Sequence, residues 1–141
     1  MSYIASNISV CEQPTEFPIT LGSSSANRQR VLSLAGWKFE VLVPDIDEKA
    51  YRNDDPYQLP AIIAKAKATA ILGRLSGNCE PFILLTADQV VLFQDEVREK
   101  PIDEKQAAYF LTSYSNQEVH TISAVVATHY PSGETGMIKY Y

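Results

Sequence analysis

Apolar and polar positions along the chain follow patterns that predict both strands and helices. The predicted strands, in chain order, are residues 19–22, 37–43, 82–93 and 119–129. The predicted helices are residues 26–35, 59–75 and 104–114. Turn residues at 94–96 end the third strand, so Val97 begins a return segment. Strands that alternate with helices indicate an α/β or α+β domain.

Residues at the ends of the helical patterns support these helices. Gly36 suits the end of the first helix, and Pro60 suits the first turn of the second. Asp103, with Gln106 three residues later, resembles a capping box before the third. The side chains predicted to face inward are Val31, Leu32, Leu34 and Ala35 in the first helix and Ala107, Ala108, Phe110, Leu111 and Tyr114 in the third.

The composition is that of one ordinary globular domain. The chain has 141 residues, of which 45% are hydrophobic and 21% charged. No apolar stretch approaches the roughly 18 residues of a membrane span. The formal net charge of −5 argues against a nucleic-acid or anionic-membrane surface, because both require a broad basic patch. We therefore expect no nucleic acid and no membrane among its partners, whereas a small phosphate-bearing ligand remains compatible.

The first 18 residues differ from the rest of the chain. They are polar and contain proline, without a basic start and apolar block, so they predict a flexible arm rather than a secretory signal. Cys11 lies in this arm and Cys79 in a predicted loop at 78–81, which supports neither a disulfide framework nor a thiolate metal site. This cysteine usage favours a reducing compartment, and we expect a cytoplasmic location.

Asp88 is the most informative residue, because it lies between two apolar runs, Phe82–Leu85 and Val90–Phe93. Burial of an unpaired carboxylate costs several kcal/mol, so the group must shift its pKa, find a cation or bind a metal. Such positions are often functional. The alternative is an aspartate that caps a turn where the strand breaks.

Three segments carry cations that could meet an anion. Ser23–Ser25 precede the first helix, whose free N–H groups and Arg28 suit phosphate, although an ordinary capped helix with a surface arginine has the same pattern. Lys67 lies in one helical row with Ile63 and Ile71, and either binds an anion or reaches past them to water. Lys65 projects from another side of that helix. Lys100 precedes a proline, which favours an extended backbone, but residues 98–101 also fit a solvated turn.

An acidic loop supplies further carboxylates. Asp45, Asp47 and Glu48 offer the oxygen ligands that Mg²⁺ or Mn²⁺ prefers, although acidic loops are usually only solvated. His120 and His129 have no partner at ligand spacing, and we interpret both as structural.

Five short segments form the most specific pattern in the chain. They are Leu21–Arg28, Pro44–Glu48, Ile63–Ala68, Thr86–Val91 and Glu99–Pro101. In this order they resemble the Maf family of nucleoside triphosphate pyrophosphatases, and the resemblance runs from about Ile19 to Thr128. It implies a fold similar to that of inosine-triphosphate pyrophosphatases, with a mixed sheet, flanking helices and two lobes around a cleft.

The resemblance also implies a reaction and roles for residues. Family members cleave non-standard or pyrimidine nucleoside triphosphates between the α and β phosphates with Mg²⁺ or Mn²⁺, giving the monophosphate and pyrophosphate. Asp88 would be the catalytic carboxylate that activates water, and Asp47, Glu48 and Asp88 would form the metal site. The implied phosphate-binding residues are Ser23, Ser25, Arg28, Lys67 and Lys100.

Three departures from the family pattern suggest rival functions. Asn27 replaces the first of two arginines, and Glu99 replaces a glycine before Lys100. The family also continues through further strands, a glutamine-bearing segment and a closing helix, whereas the last residues here look unlike it. We therefore expect a truncated form of the 19–141 domain that lacks part of one lobe.

The first hypothesis is the metal-dependent pyrophosphatase. The second is a catalytically silent, nucleotide-binding or regulatory form linked to cell division, and the third is a chain with open strand edges that does not fold stably. The nucleobase, the preferred metal and the oligomeric state stay open, with a homodimer as one option.

Overall fold

The computed structural model describes residues 12–52, 54–75, 77 and 79–141. In this part of the chain, six strands form one mixed sheet flanked by three helices, which confirms the predicted fold class. The strands are β1 (Ile19–Leu21), β2 (Phe39–Val41), β3 (Phe82–Phe93), β4 (Glu96–Arg98), β5 (His120–Tyr130) and β6 (Thr135–Tyr140). The helices are α1 (Ala26–Leu34), α2 (Leu59–Leu72) and α3 (Glu104–Ser113), with a 3₁₀ turn at Glu48–Ala50.

Strand β3 organises the sheet, whose order is β2-β1-β3-β5-β6. One edge of β3 pairs antiparallel with β5 along nearly its whole length. The other edge is shared, because β1 pairs in parallel with Ile83–Leu85 and β4 pairs antiparallel with Val91–Phe93. Among the described residues, 86–90 have no strand partner on this side. The gap is about 16 Å of strand and lies beyond the carboxyl end of β1, where open α/β sheets bind ligands.

Helix α2 packs across the sheet through two apolar clusters. Near its N-terminus, Leu59 and Ile63 contact residues of β3 and β5, and near its C-terminus Ala68 and Ile71 contact the first half of β3. Alternate residues of β3 face this helix. They are, in order, Phe82, Leu84, Thr86, Asp88, Val90 and Leu92. The middle two are polar, so a polar layer separates the two apolar clusters.

The other two helices correct the sequence-based expectation. Neither α1 nor α3 contains a buried residue, and the predicted inner faces are wrong for Val31, Leu34, Ala108 and Leu111, which are exposed. The physical reason is that both helices make few contacts with the sheet, so their apolar side chains remain in solvent.

Helix ends follow the predicted signals. Gly36 has a φ of 82°, and the N–H groups of Gly36 and Trp37 donate to Ser33 and Leu32, which closes α1 with a Schellman motif. Asp103 accepts from the N–H of Gln106 at 2.7 Å. The predicted second helix is three residues too long, because α2 ends at Leu72 before Gly73. Strand β6 was not predicted, and it forms an antiparallel hairpin with β5.

The chain before β1 is attached to the sheet where it is described. The Pro18 carbonyl accepts from the N–H of Ile83 at 2.9 Å, and the Phe17 ring lies 4.8 Å from that of His129. Residues 1–11 of the predicted arm, including Cys11, and Asn78 of the predicted loop lie outside the described residues. In the part of the chain that the structure describes, no helix is both long and apolar enough to cross a membrane.

Candidate functional site

A cavity of about 360 Å³ opens at the gap in the edge of β3. It brings together every residue to which the family resemblance gives a role, although these residues come from five separate segments. They are Ser23, Ser25, Arg28, Asp47, Glu48, Lys67, Asp88 and Lys100. Asp45 of the acidic loop does not line it, whereas Gln89 and Glu99, which were given no role, do. Both lie in segments that carry the resemblance, which was the available signal.

The loop between β1 and α1 forms one wall of the cavity. The Ser23 hydroxyl is buried and accepts from the N–H of Ser25 at 3.1 Å and from the Arg28 guanidinium at 3.5 Å. The Ser25 hydroxyl caps α1 by accepting from the N–H of Arg28 at 3.3 Å. The two serines therefore shape the loop and hold the arginine beside the cavity.

Gly22 allows this loop to lie close to the helix and the central strand. A Cβ at Gly22 would lie 2.5 Å from Ile71 Cδ1 and 2.8 Å from Thr86 Cγ2. Both distances are shorter than any carbon–carbon contact allows, so a larger residue would push the loop away from α2 and β3.

Lys67 faces the cavity, as its row on α2 predicted. Its side chain is only 5% exposed, whereas Lys65 is exposed on another side of the helix. The Lys67 ammonium contacts three oxygen atoms: Glu48 Oε1 at 2.9 Å, Asp88 Oδ1 at 3.3 Å and the Ala87 carbonyl at 3.0 Å. The alternative in which this lysine reaches to water is excluded.

Asp88 is buried inside β3, opposite Ala124, so it does not cap a turn. Burial raises the pKa of its carboxyl above the usual value, and the nearby Glu48 carboxylate acts in the same direction. Lys67, by charge and hydrogen bonding, and Arg28, by charge, oppose this rise and favour the ionised form. A carboxyl under such opposed influences at a cavity wall is typical of a general base.

The acidic loop reaches the cavity through Glu48, which shares the Lys67 ammonium with Asp88. Asp47 is exposed, and its Oδ1 accepts from the N–H of Lys49 at 3.1 Å, so it caps the 3₁₀ turn. Among the described residues no three acidic, histidine or cysteine side chains are grouped closely enough to hold a metal. Mg²⁺, however, is commonly bound by one or two carboxylates together with waters and phosphate oxygens. Glu48 and Asp88 fit that kind of site.

The opposite rim carries Lys100 and Glu99. Both are exposed, and Glu99 accepts from the Arg52 guanidinium at 3.2 Å, which neutralises the extra carboxylate near the cavity. This ion pair joins the segment after the 3₁₀ turn to the segment after β4. The contact could not be inferred from the sequence, because the two residues are far apart in the chain.

A second cavity of about 590 Å³ adjoins the first. It shares Ser25, Arg28, Gln89, Glu99 and Lys100 with the first cavity and adds apolar and aromatic residues from α3, including Phe110 and Tyr114. Asn27 also lines it. The first cavity is therefore lined by many charged residues, and the second cavity, which adjoins it, is lined by apolar and aromatic residues.

The alternative in which residues 98–101 form a solvated turn does not hold for Arg98. It is 5% exposed, with its guanidinium carbon 4.5 Å from the Phe93 ring centre and 4.6 Å from that of Phe110. Its Nη1 donates to Ser113 Oγ at 2.6 Å. Arg98 thus attaches α3 to the end of β3 through cation–π contacts. The aromatic residues of the third helix were the available signal.

Comparison with known proteins gives consistent matches. A sequence model of the family described as Maf-like protein matches residues 18–140, which includes β6. A Dictyostelium discoideum protein described as a 7-methyl-GTP pyrophosphatase is 41% identical over 128 residues, covering 88% of this chain and 64% of that protein.

Two bacterial proteins, each described as a dTTP/UTP pyrophosphatase, are also similar. The Geobacillus protein is 32% identical over 121 residues, covering 86% of this chain and 62% of that protein. The Symbiobacterium thermophilum protein is 36% identical over 107 residues, covering 76% of this chain and 53% of that protein. The chain thus spans between 53% and 64% of the length of these three curated relatives.

Proposed function

The chain belongs to the Maf-like protein family, and from this membership we propose that it hydrolyses nucleoside triphosphates to the monophosphate and pyrophosphate. The substrates would be pyrimidine or 7-methylated nucleotides, because similar proteins are described as acting on dTTP, UTP or 7-methyl-GTP. The observation that supports the proposal best is the convergence of Asp88 with Arg28, Lys67 and Lys100 on one cavity. By the same proposal the reaction is cytoplasmic.

The triphosphate would lie along the charged cavity. Arg28, Lys67 and Lys100 supply three of the four cations that line it, the other being Lys49, in a chain whose formal net charge is −5. Several cations around one cavity suit a polyanion, and the N-terminus of α1 adds N–H groups and the positive end of its dipole. Fixed cations of this kind stabilise negative charge that develops on a leaving pyrophosphate, which is usually the largest contribution to such catalysis.

Asp88 would act as the general base. As a carboxylate at the cavity wall, it takes the proton of the attacking water at Oδ1 or Oδ2 while the water oxygen approaches phosphorus. Its raised pKa makes the ionised form a stronger base than an exposed aspartate. Lys67 and Arg28 keep that form populated by favouring the negative charge.

Glu48 and Asp88 would hold the divalent metal. When bound, the metal supplies neutralisation of phosphate charge and lowers the barrier to bond cleavage. The residues of the chain keep the two carboxylates together without it, since both contact Lys67. Asp47 would support this loop as a cap rather than as a ligand.

The nucleoside would occupy the adjoining cavity. Its aromatic walls offer stacking surfaces for a base, and its polar rim can meet a ribose. Gln89 lines both cavities and offers an amide to the ligand at their junction.

Pyrophosphate release from a panel of triphosphates tests the proposal. The chain is incubated with 7-methyl-GTP, dTTP, UTP and the four standard ribonucleotides, each with Mg²⁺ or Mn²⁺ and each with a metal-free control. We expect release from at least one of the first three, and only with metal. Nucleotide binding without turnover would instead support the silent, regulatory alternative. Neither binding nor release would contradict both.

A further inference from the structure

The Lys67 ammonium is surrounded by oxygen atoms of the protein. It donates to Asp88 Oδ1 and to the Ala87 carbonyl, and it forms an ion pair with Glu48 Oε1 at 2.9 Å. The side chain is 5% exposed. Little of the ammonium is therefore open to a phosphate while these contacts last.

The Lys67 ammonium lies between two carboxylates that come from different elements of the fold. Glu48 comes from the acidic loop and is 46% exposed, whereas Asp88 comes from the central strand and is 10% exposed. Two carboxylates that converge repel each other, and each would need a cation in the absence of Lys67. The lysine supplies that cation from within the fold.

We propose that Lys67 is a positioning residue that occupies the place of the divalent metal between Glu48 and Asp88 and keeps it out until a nucleotide arrives. This inference rests on the proposed function, in which these two carboxylates hold the metal. The ammonium would repel a metal ion that enters alone. The side chains of Ile63 and Ile71 flank Lys67 on α2, and because both are buried they restrict its movement away from the carboxylates.

A nucleotide changes this balance because its phosphate oxygens are alternative acceptors. Lys67 can then transfer its hydrogen bonds from the carboxylates to the phosphates, and the carboxylates become available to the metal. Metal and nucleotide would thus bind together. The lysine serves the site twice, first as counter-cation to the carboxylates and then as phosphate ligand.

Metal binding without nucleotide tests the proposal directly. Lys67→Met keeps the length of the side chain and removes its charge. We expect Mn²⁺, measured by the loss of its free electron paramagnetic resonance signal, to bind Lys67→Met at least about tenfold more tightly than the unsubstituted chain, because a repelling charge is gone. Lys65→Met makes the same change in net charge at an exposed position of the same helix, and should bind Mn²⁺ within about twofold of the unsubstituted chain. Equal affinity of the unsubstituted and Lys67→Met chains would overturn the proposal.

A measurement on the unsubstituted chain covers the case in which Lys67→Met does not fold. The ammonium signal of Lys67 is followed by ¹⁵N nuclear magnetic resonance, with Lys65 as the reference. Millimolar Mg²⁺ alone should leave the Lys67 signal in place, and Mg²⁺ with the α,β-methylene analogue of UTP should move it. A shift with Mg²⁺ alone, or none with both, would overturn the proposal.

The two proposals can fail separately. If the chain releases no pyrophosphate but its Lys67→Met form binds Mn²⁺ more tightly, the proposed function is wrong and the proposed role of Lys67 holds. If the chain is active but its Lys67→Met form binds Mn²⁺ no more tightly, only the proposed role of Lys67 is wrong.

Discussion

Helix α2 differs sharply from helices α1 and α3, although all three flank one sheet. Eight residues of α2 are buried, and α1 and α3 have none. The buried helix holds Lys67 against Asp88 between two apolar clusters, whereas α3 contributes Phe110, and the residue after it Tyr114, to the adjoining cavity. The Lys67–Asp88 pair therefore lies in the packed part of the molecule. Arg28 lies on α1 and the aromatic wall of the adjoining cavity on α3, and neither of these helices contains a buried residue.

The largest expected effect is that of Asp88→Asn. If the packed part carries the chemistry, this change should lower the rate of pyrophosphate release by about 10² to 10⁴-fold, the usual contribution of a general base. The melting temperature should be equal or a few degrees higher, because a buried charge is removed while an oxygen remains to accept from Lys67. Both quantities are measured on the same purified variant.

Asp95→Asn is the matched control for this change. Asp95 is exposed in the turn between β3 and β4 and has a φ of 64°, which asparagine also tolerates. Its rate should match that of the unsubstituted chain. Near-normal turnover in Asp88→Asn would show that the base lies elsewhere.

A pair of alanine substitutions measures the contrast between the helices themselves. Ile71→Ala should lower the free energy of unfolding by about 2–5 kcal/mol, because it leaves a hole in a fully buried cluster of α2. Leu111→Ala should change it by less than about 0.5 kcal/mol, since that side chain of α3 is 72% exposed. Urea denaturation gives both values. Similar losses would mean that α3 is as firmly packed as α2.

The smallest expected effect is a dependence on pH. Below its usual pKa, Asp88 is neutral in the folded and unfolded chain alike, so Asp88→Asn and the unsubstituted chain should melt together. As the pH rises from the usual carboxyl pKa to the raised pKa of the folded state, the unsubstituted chain loses stability, because the unfolded chain gives up its proton first. The melting-temperature advantage of Asp88→Asn should therefore appear with rising pH and then level off. Thermal melts from about pH 3 to pH 8 span the range in which a shifted carboxyl titrates. An advantage that shrinks as the pH rises would contradict the direction of the shift.

The elements with strong apolar patterns could be predicted from the sequence. The twelve residues of β3 and the helix that holds Lys67 were found, because both bury a continuous face and the pattern reports burial. The orientation of Lys67 followed from its spacing to Ile63 and Ile71. The gathering of the candidate residues around one cavity followed from the family resemblance, not from the periodicity.

What could not be predicted depends on contacts between distant segments. The apolar residues of α1 and α3 suggested inner faces, but a pattern cannot tell whether a second surface is present to cover them. The pairing of Glu99 with Arg52 and the aromatic surroundings of Arg98 are likewise tertiary features. Only the surroundings of Arg98 were indicated by the sequence, because aromatic residues lie on both sides of it in the chain.

The glycine at position 22 sets a limit on how this protein can be altered. Its side chain is a single hydrogen atom, which lets the serine-bearing loop pack closely against the helix that carries Lys67, and a larger side chain would clash there. A methyl group added at this point would separate the two walls of the cavity while leaving each candidate catalytic side chain chemically intact. Variant libraries that aim to change the proposed substrate preference should therefore keep glycine at position 22 and vary the exposed residues of α3.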